Sequence, residues 1–243
     1  MVKTLNWPGF GLDIAPFPTT ESRTQVVDDF FSEVHYALFL RKIKEIGKIL
    51  LDYKNGLSHP KVNNQYMVTC LVSSSELKTG DTSFLEYVLF HISEHVPKIE
   101  NIFECDRLKF FLNKNHKKGK KCRHTEKILL DPDNRIPQSE NFQAEHYTAE
   151  LFTESEHLSS MQEEFRKKFG DNEKSYLLIF SHYVPCTIKH HHCAELLGRY
   201  VDVTGQQVVV GYEKVFPETD FFKSIDSMKA IKVVHPQIQR LRL

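Results

Sequence analysis

A chain of 243 residues that is 40% hydrophobic and 26% charged has the make-up of an ordinary globular protein and room for one elaborated domain with a sizeable core. Lys plus Arg number 32, as do Asp plus Glu, which excludes a global electrostatic pull toward nucleic acid or membrane. Five scattered cysteines do not frame a small secreted disulfide scaffold; with no apolar core for a signal peptide and no run of membrane-spanning length, the expected setting is cytoplasmic or nuclear, without a membrane partner.

Residues 1–22 carry Pro8, Pro16 and Pro18 among Gly and Thr, and are expected to form an irregular arm. From Thr24 to Lys54, Val27, Phe30, Phe31, Val34, Leu38, Ile43, Ile46 and Leu50 keep helical spacing. Asp28 and Asp29 suit the start of that helix, and Asn55-Gly56 with Pro60 ends it. Residues 1–60 are thus expected as an N-terminal arm and packing helix, and 61–243 as the main domain. Tyr66–Ser73 (YMVTCLVS) predicts the first core strand, 83–96 a helix, and Arg107–Asn113 a second strand. HTEKILL predicts a short helix stopped by Asp131-Pro132. Residues 131–172 form a polar insertion with a helix at 157–169; 83–96 is a second insertion. Ser175–Ser181 (SYLLIFS) is the clearest buried strand and runs into His182-Tyr183-Val184-Pro185-Cys186. Beyond it come a helix (CAELLGRYV), a break at Gly205, a strand at Gln207–Phe216, a helix around 218–229 and a strand at Ile231–Val234. That alternation is an α/β order.

Two short motifs stand at strand-to-helix junctions in fixed order: His124-Thr125-Glu126, then Pro185-Cys186 with Cys193 further on. With 13 His, one H-x-E is expected by chance roughly once, whereas a Pro-Cys followed by a nearby Cys arises on the order of a few per cent of the time. Together they offer an imidazole, a carboxylate and two thiolates, a set suited to zinc with an acid/base beside it.

This pair resembles the signature of zinc deaminases that act on nucleobases. The chain resembles the cytidine-deaminase-like superfamily, nearer its AID/APOBEC-like and toxin-related branches than the small free-nucleoside enzymes. The resemblance implies a three-layer α/β/α domain with a central mixed sheet, extended here by an N-terminal helix. It further implies Zn2+ as cofactor, His124 and Cys186 as ligands and Glu126 as the proton shuttle. The reaction would be deamination of cytosine to uracil in a nucleoside or in single-stranded RNA or DNA. The segment from His182 to Cys186 resembles a Ser-Trp-Ser-Pro-Cys stretch of AID/APOBEC-like enzymes. Tyr183 stands where their aromatic walls the base pocket, and Val184 replaces a polar residue. Asn113 and Asn115 could bond a ribose or base edge, or serve a turn.

The third ligand is expected to be Cys193, because the resemblance implies a thiolate-rich zinc site. Six residues separate Cys186 from Cys193, against one helical turn in the usual pattern. On a continuous helix that is roughly 10 Å of rise, too far to share a metal. For Cys193 to serve, Thr187–His192 must loop out and the helix must begin near Cys193. His190, one turn beyond Cys186, is the rival. Cys122 would point elsewhere from the turn entering the short helix.

Charge is segregated along the chain. Arg107, Lys109, Lys114, Lys117, Lys118, Lys120, Lys121, Arg123 and Lys127 face a single acid, Glu126, whereas 136–165 holds seven Glu and no Lys or Arg. The basic run could guide a phosphate backbone to the site, or be a solvated turn. Two other readings stand beside the enzyme. One is an inactive deaminase-fold protein with structural zinc, acting as an interaction or nucleic-acid-binding module. The other is a plain α/β domain whose motifs never converge.

Overall fold

In the computed structural model, residues 20–57, 65–95, 102–113 and 122–235 are described, with side chains along the first helix from Glu33 onward. Residues 1–19 of the arm expected at 1–22, Asn115 and lysines 114, 117, 118, 120 and 121 lie outside the described residues, whereas residues 20–22 already belong to the first helix.

Every residue of β1 (Tyr66–Ser73) is buried. It lies inside a six-stranded mixed sheet with β2 (Ile102–Cys105), β3 (Leu108–Leu112), β4 (Ser175–Tyr183), β5 (Gln207–Lys214) and β6 (Lys232–Val234), in the order β2-β3-β1-β4-β5-β6. A strand covered on both faces can be apolar throughout, as YMVTCLVS nearly is. The period of two still sorts its side chains. Met67 and Leu71 join Leu177, Ile179, Val208 and Val210 on one face. Tyr66, Val68, Cys70 and Val72 join Leu178, Phe180 and Val209 on the other.

Helices cover both faces. On the second, α1 (Thr20–Leu57) buries Phe39, Leu40, Ile43, Ile46 and Leu50, beside Leu85, Val88 and Ile92 of α3 (Ser83–Glu94). A side chain at Gly47 would collide with the Tyr66 ring, so this glycine sets how closely α1 approaches β1. On the first face lie α4 (Thr125–Leu130), α5 (Ala149–Thr153), α6 (Glu156–Phe169) and α7 (Cys193–Thr204), with α8 (Phe221–Ser227) against α7. The N-terminal helix and α3, within the segment expected as an insertion, thus form one layer of the core itself. No helix among the described residues is long and apolar enough to cross a membrane.

Elements that the pattern does not announce are short ones. The strand β2 (IFEC) and the helix α2 (Ser74–Thr79) are four and six residues long, below the length at which periodicity speaks. Arg107, expected in a strand, falls in the two-residue turn between β2 and β3, where Asp106 has φ +42°. Its guanidinium is buried against both carboxylate oxygens of Glu76 (2.8 and 2.9 Å) and the Leu71 carbonyl (3.0 Å).

Direction places the site. β1 runs antiparallel to β3 and β4, and β4 runs parallel to β5. The start of β1 therefore meets the ends of β3, β4 and β5 at one edge of the sheet.

Candidate metal centre

At that edge the two motifs come together. His124 occupies the N-cap of α4, in extended conformation, and Cys193 is the first residue of α7. The intervening Val184–His192 segment is a loop, so the continuous-helix geometry that would have parted the cysteines does not arise. His190 and His192 take left-handed φ values of +73° and +51°, and the His191 and His192 amides donate to the Ile188 carbonyl. The Cys186 carbonyl accepts from the Ala194 amide, which folds the loop back onto the start of α7. Left-handed backbone costs a non-glycine residue about 1–2 kcal/mol, a cost met here by the packing that closes the loop.

The consequence is a compact donor triangle. The Cys186 and Cys193 Sγ atoms are 3.5 Å apart, and each lies 3.4 Å from His124 Nδ1. These three groups could hold a metal ion; among the described residues no His190 or Cys122 atom belongs to the group. His190 instead borders a small cleft with Gln138, Phe142 and Tyr147, and Cys122 is half-buried with its thiol outside the donor group.

Of the three donors only Cys186 is shifted toward losing its proton. The Cys193 thiol donates to Cys186 and pulls its pKa down to about 4; burial opposes this, and His124 adds to it. Cys193 is pushed up, by burial first and by Cys186 second. Burial is the largest influence and acts to lower His124, but the hydrogen bond and charge of Cys186 together with the charge of Glu126 outweigh it, and the net direction is up. The N-terminus of α7 adds its positive end at Cys193.

Glu126 is only 4% exposed, accepts from Thr125 Oγ1 at 3.1 Å, and stays outside the donor group. Burial raises its pKa, with His124 acting the other way. It borders a cavity of about 200 Å³ together with His124, Cys186, Asn113, Tyr183 and Phe216. That volume is below the roughly 300–1,000 Å³ of drug-sized sites and suits a single planar ring.

Tyr183 stands on the cavity wall and meets Phe216 edge-on, centroids 5.4 Å apart. Asn113 also lines the cavity, but its side-chain oxygen accepts from the Thr125 amide at 3.1 Å and its amide donates to Gln65. It thereby caps α4 and holds the first motif to the end of β3. The four described members of the basic run are engaged within the fold. Arg107 pairs with Glu76, Lys109 with Glu104 and Lys127 with Asp131, while Arg123 donates to the Asp131 and Pro132 carbonyls at 2.7 and 2.9 Å.

Sequence reasoning passed over Ser181, Phe216, Glu218 and His191, all of which line the cavity. Ser181 was within reach, since it lies two residues before Tyr183 on the same face of β4. Phe216 and Glu218 arrive from the loop after β5 and His191 from the loop before α7, and no spacing announces them. No protein-family model matches this chain, and no curated protein matches it.

Proposed function

We propose that the protein is a zinc-dependent hydrolytic deaminase of the cytidine-deaminase-like type, converting cytosine to uracil in a nucleoside or a single-stranded RNA or DNA. The observation that carries this reading is a buried carboxyl, Glu126, bordering a ring-sized cavity beside three convergent N and S donors. A tetrahedral zinc with ordinary bond lengths keeps its N and S ligands roughly 3.6–3.8 Å apart. The observed 3.4–3.5 Å edges are close to that, and the donor set is the chemistry zinc favours.

His124, Cys186 and Cys193 would hold the ion, which supplies a polarised water able to attack near neutral pH. Glu126, with its pKa raised by burial, is suited to move two protons in turn, one from the attacking water to a ring nitrogen and one from the added hydroxyl to the amine, which departs as ammonia. Tyr183 and Phe216 present ring faces and edges that confine a planar base. A base within a duplex stack could not reach so buried a carboxyl without flipping, so unpaired substrate is favoured. The second reading, a closed structural zinc in an inactive module, calls for a fourth protein ligand, and its candidate His190 is not in the donor group.

The test is zinc content per chain, wild type beside Cys186→Ala, followed by uracil formation from cytidine and from cytosine-containing oligonucleotides. One zinc in wild type, lost in the variant, together with uracil formation is expected. A wild-type protein prepared with zinc that retains none would end this reading; zinc without turnover would leave the structural module.

A further inference from the structure

Two features set this chain apart from the usual motif spacing: the six residues between Cys186 and Cys193, and the insertion that follows α4. They are packed on each other. His191, from the first, lays its ring on that of His124, with centroids 3.8 Å apart and planes 5° from parallel. Gln138, from the second, reaches both sides of this contact. Its Nε2 lies 3.3 Å from the Cys122 carbonyl, two residues before His124, and 3.4 Å from His191 Nδ1. Beside it, His192 Nε2 lies 3.0 Å from the Glu140 carbonyl, and Phe142 packs on the His192 ring at 5.9 Å.

A histidine that binds metal through one ring nitrogen needs its ring plane fixed, and the common device is a hydrogen bond from the other nitrogen. A ring stacked within 5° fixes the same plane by contact. Metal binding also draws electrons from the imidazole, so a neutral aromatic face against it is favoured as a π face is under a cation. We propose that His191 is a positioning residue for His124 and that Gln138 anchors it, so that the insertion after α4 sets the ligand geometry of the metal centre. This rests on His124 being a metal ligand. His191 acts on the ring plane, through Nδ1 of His124 and its angle to the two thiolates.

The experiment uses the full chain as wild type, His191→Ala, His191→Phe and Gln138→Ala. Zinc affinity is read by competition with a chromophoric chelator, and ligand geometry by the visible d–d bands of the cobalt-substituted protein. His191→Ala should weaken zinc about 10–100-fold and shift the cobalt bands at unchanged four-coordinate intensity. His191→Phe, which keeps a flat ring, should restore both, and it decides the matter should the alanine variant misfold. Gln138→Ala should show a smaller loss with the same band shift. Wild-type affinity and spectrum in His191→Ala would overturn the proposal while leaving the metal centre in place. A change in cobalt coordination number would also overturn it, by making His191 a ligand. Failure of wild type to bind zinc or cobalt would remove the metal centre and this inference together.

Discussion

Glu126 and Lys127 are neighbours on α4, both ionisable and both buried, at 4% and 3% exposure, yet they serve opposite ends. The Lys127 ammonium has three N–H donors and three acceptors: Asp131 Oδ2 at 2.6 Å, the Ile136 carbonyl at 2.6 Å and Tyr147 Oη at 2.8 Å. Asp131 in turn accepts from the Arg135 and Ile136 amides, at 2.8 and 3.1 Å. This saturated cluster ties the start of the insertion to α4. Glu126 has no cation of its own: it accepts from Thr125 Oγ1, bonds its own backbone and the Cys193 thiol, and borders the cavity. A saturated buried charge holds a fold together; a buried carboxyl facing a cavity is costly to keep and is available for chemistry.

Substitutions should separate the two roles. The largest effect is expected for Glu126→Gln, which should lower deamination by about 10²–10⁴-fold, read as uracil formed per chain. The unfolding free energy of the same variant should hold or rise in urea titration, because a neutral isostere escapes the burial that strains the carboxylate. Full activity in Glu126→Gln would end the proton-shuttle assignment. Lys127→Met should behave in reverse. It leaves Asp131 without its cation and should cost about 3–5 kcal/mol of stability, visible as a lower urea midpoint. A midpoint equal to that of wild type would show that the Lys127 cluster is not what ties the insertion down.

The smallest effect concerns a third buried group on the same face of the sheet. His157 packs edge-on to Phe111, 5.2 Å between centroids, and its pKa is lowered by burial first and by Lys109 second. An imidazole held below its ordinary value favours the neutral folded state. Its contribution is complete above about pH 6.5 and is lost as the pH falls from there toward the depressed folded value. Between pH 7.5 and 5.5 the wild-type urea midpoint should therefore fall more than that of His157→Phe. Parallel declines would remove His157 from the acid sensitivity of the protein.

Much of this architecture is legible in local sequence. β1 and β4 are apolar runs too short for helices, and α7 is bounded by Cys193 and by Gly205, whose φ is +68°. The two motifs could be picked out because each needs only residue types at short spacing next to an element boundary. The requirement that Thr187–His192 loop out could be stated from helical rise alone. What one dimension could not supply is direction and company. Asn113 sits beside the site in the sequence reading as well, but only the register of β3 against β1 shows it capping α4. Likewise Arg107, Lys109, Arg123 and Lys127 look alike as a basic run, and only packing shows each with its own partner.

The sequence by itself determined the donor chemistry, the order of the motifs and the apolar strands that carry them, because these follow from residue type and from periods of two or 3.6 residues. Tertiary structure alone decided that the second thiolate comes from Cys193 in the donor triangle, that His191 lies flat on His124, and that Gln138 spans them from the insertion. The deciding contacts, Cys193 with His124 and Gln138 with His191, join residues 69 and 53 apart in the chain. They depend on where antiparallel and parallel strands bring their ends, and no local spacing encodes that meeting.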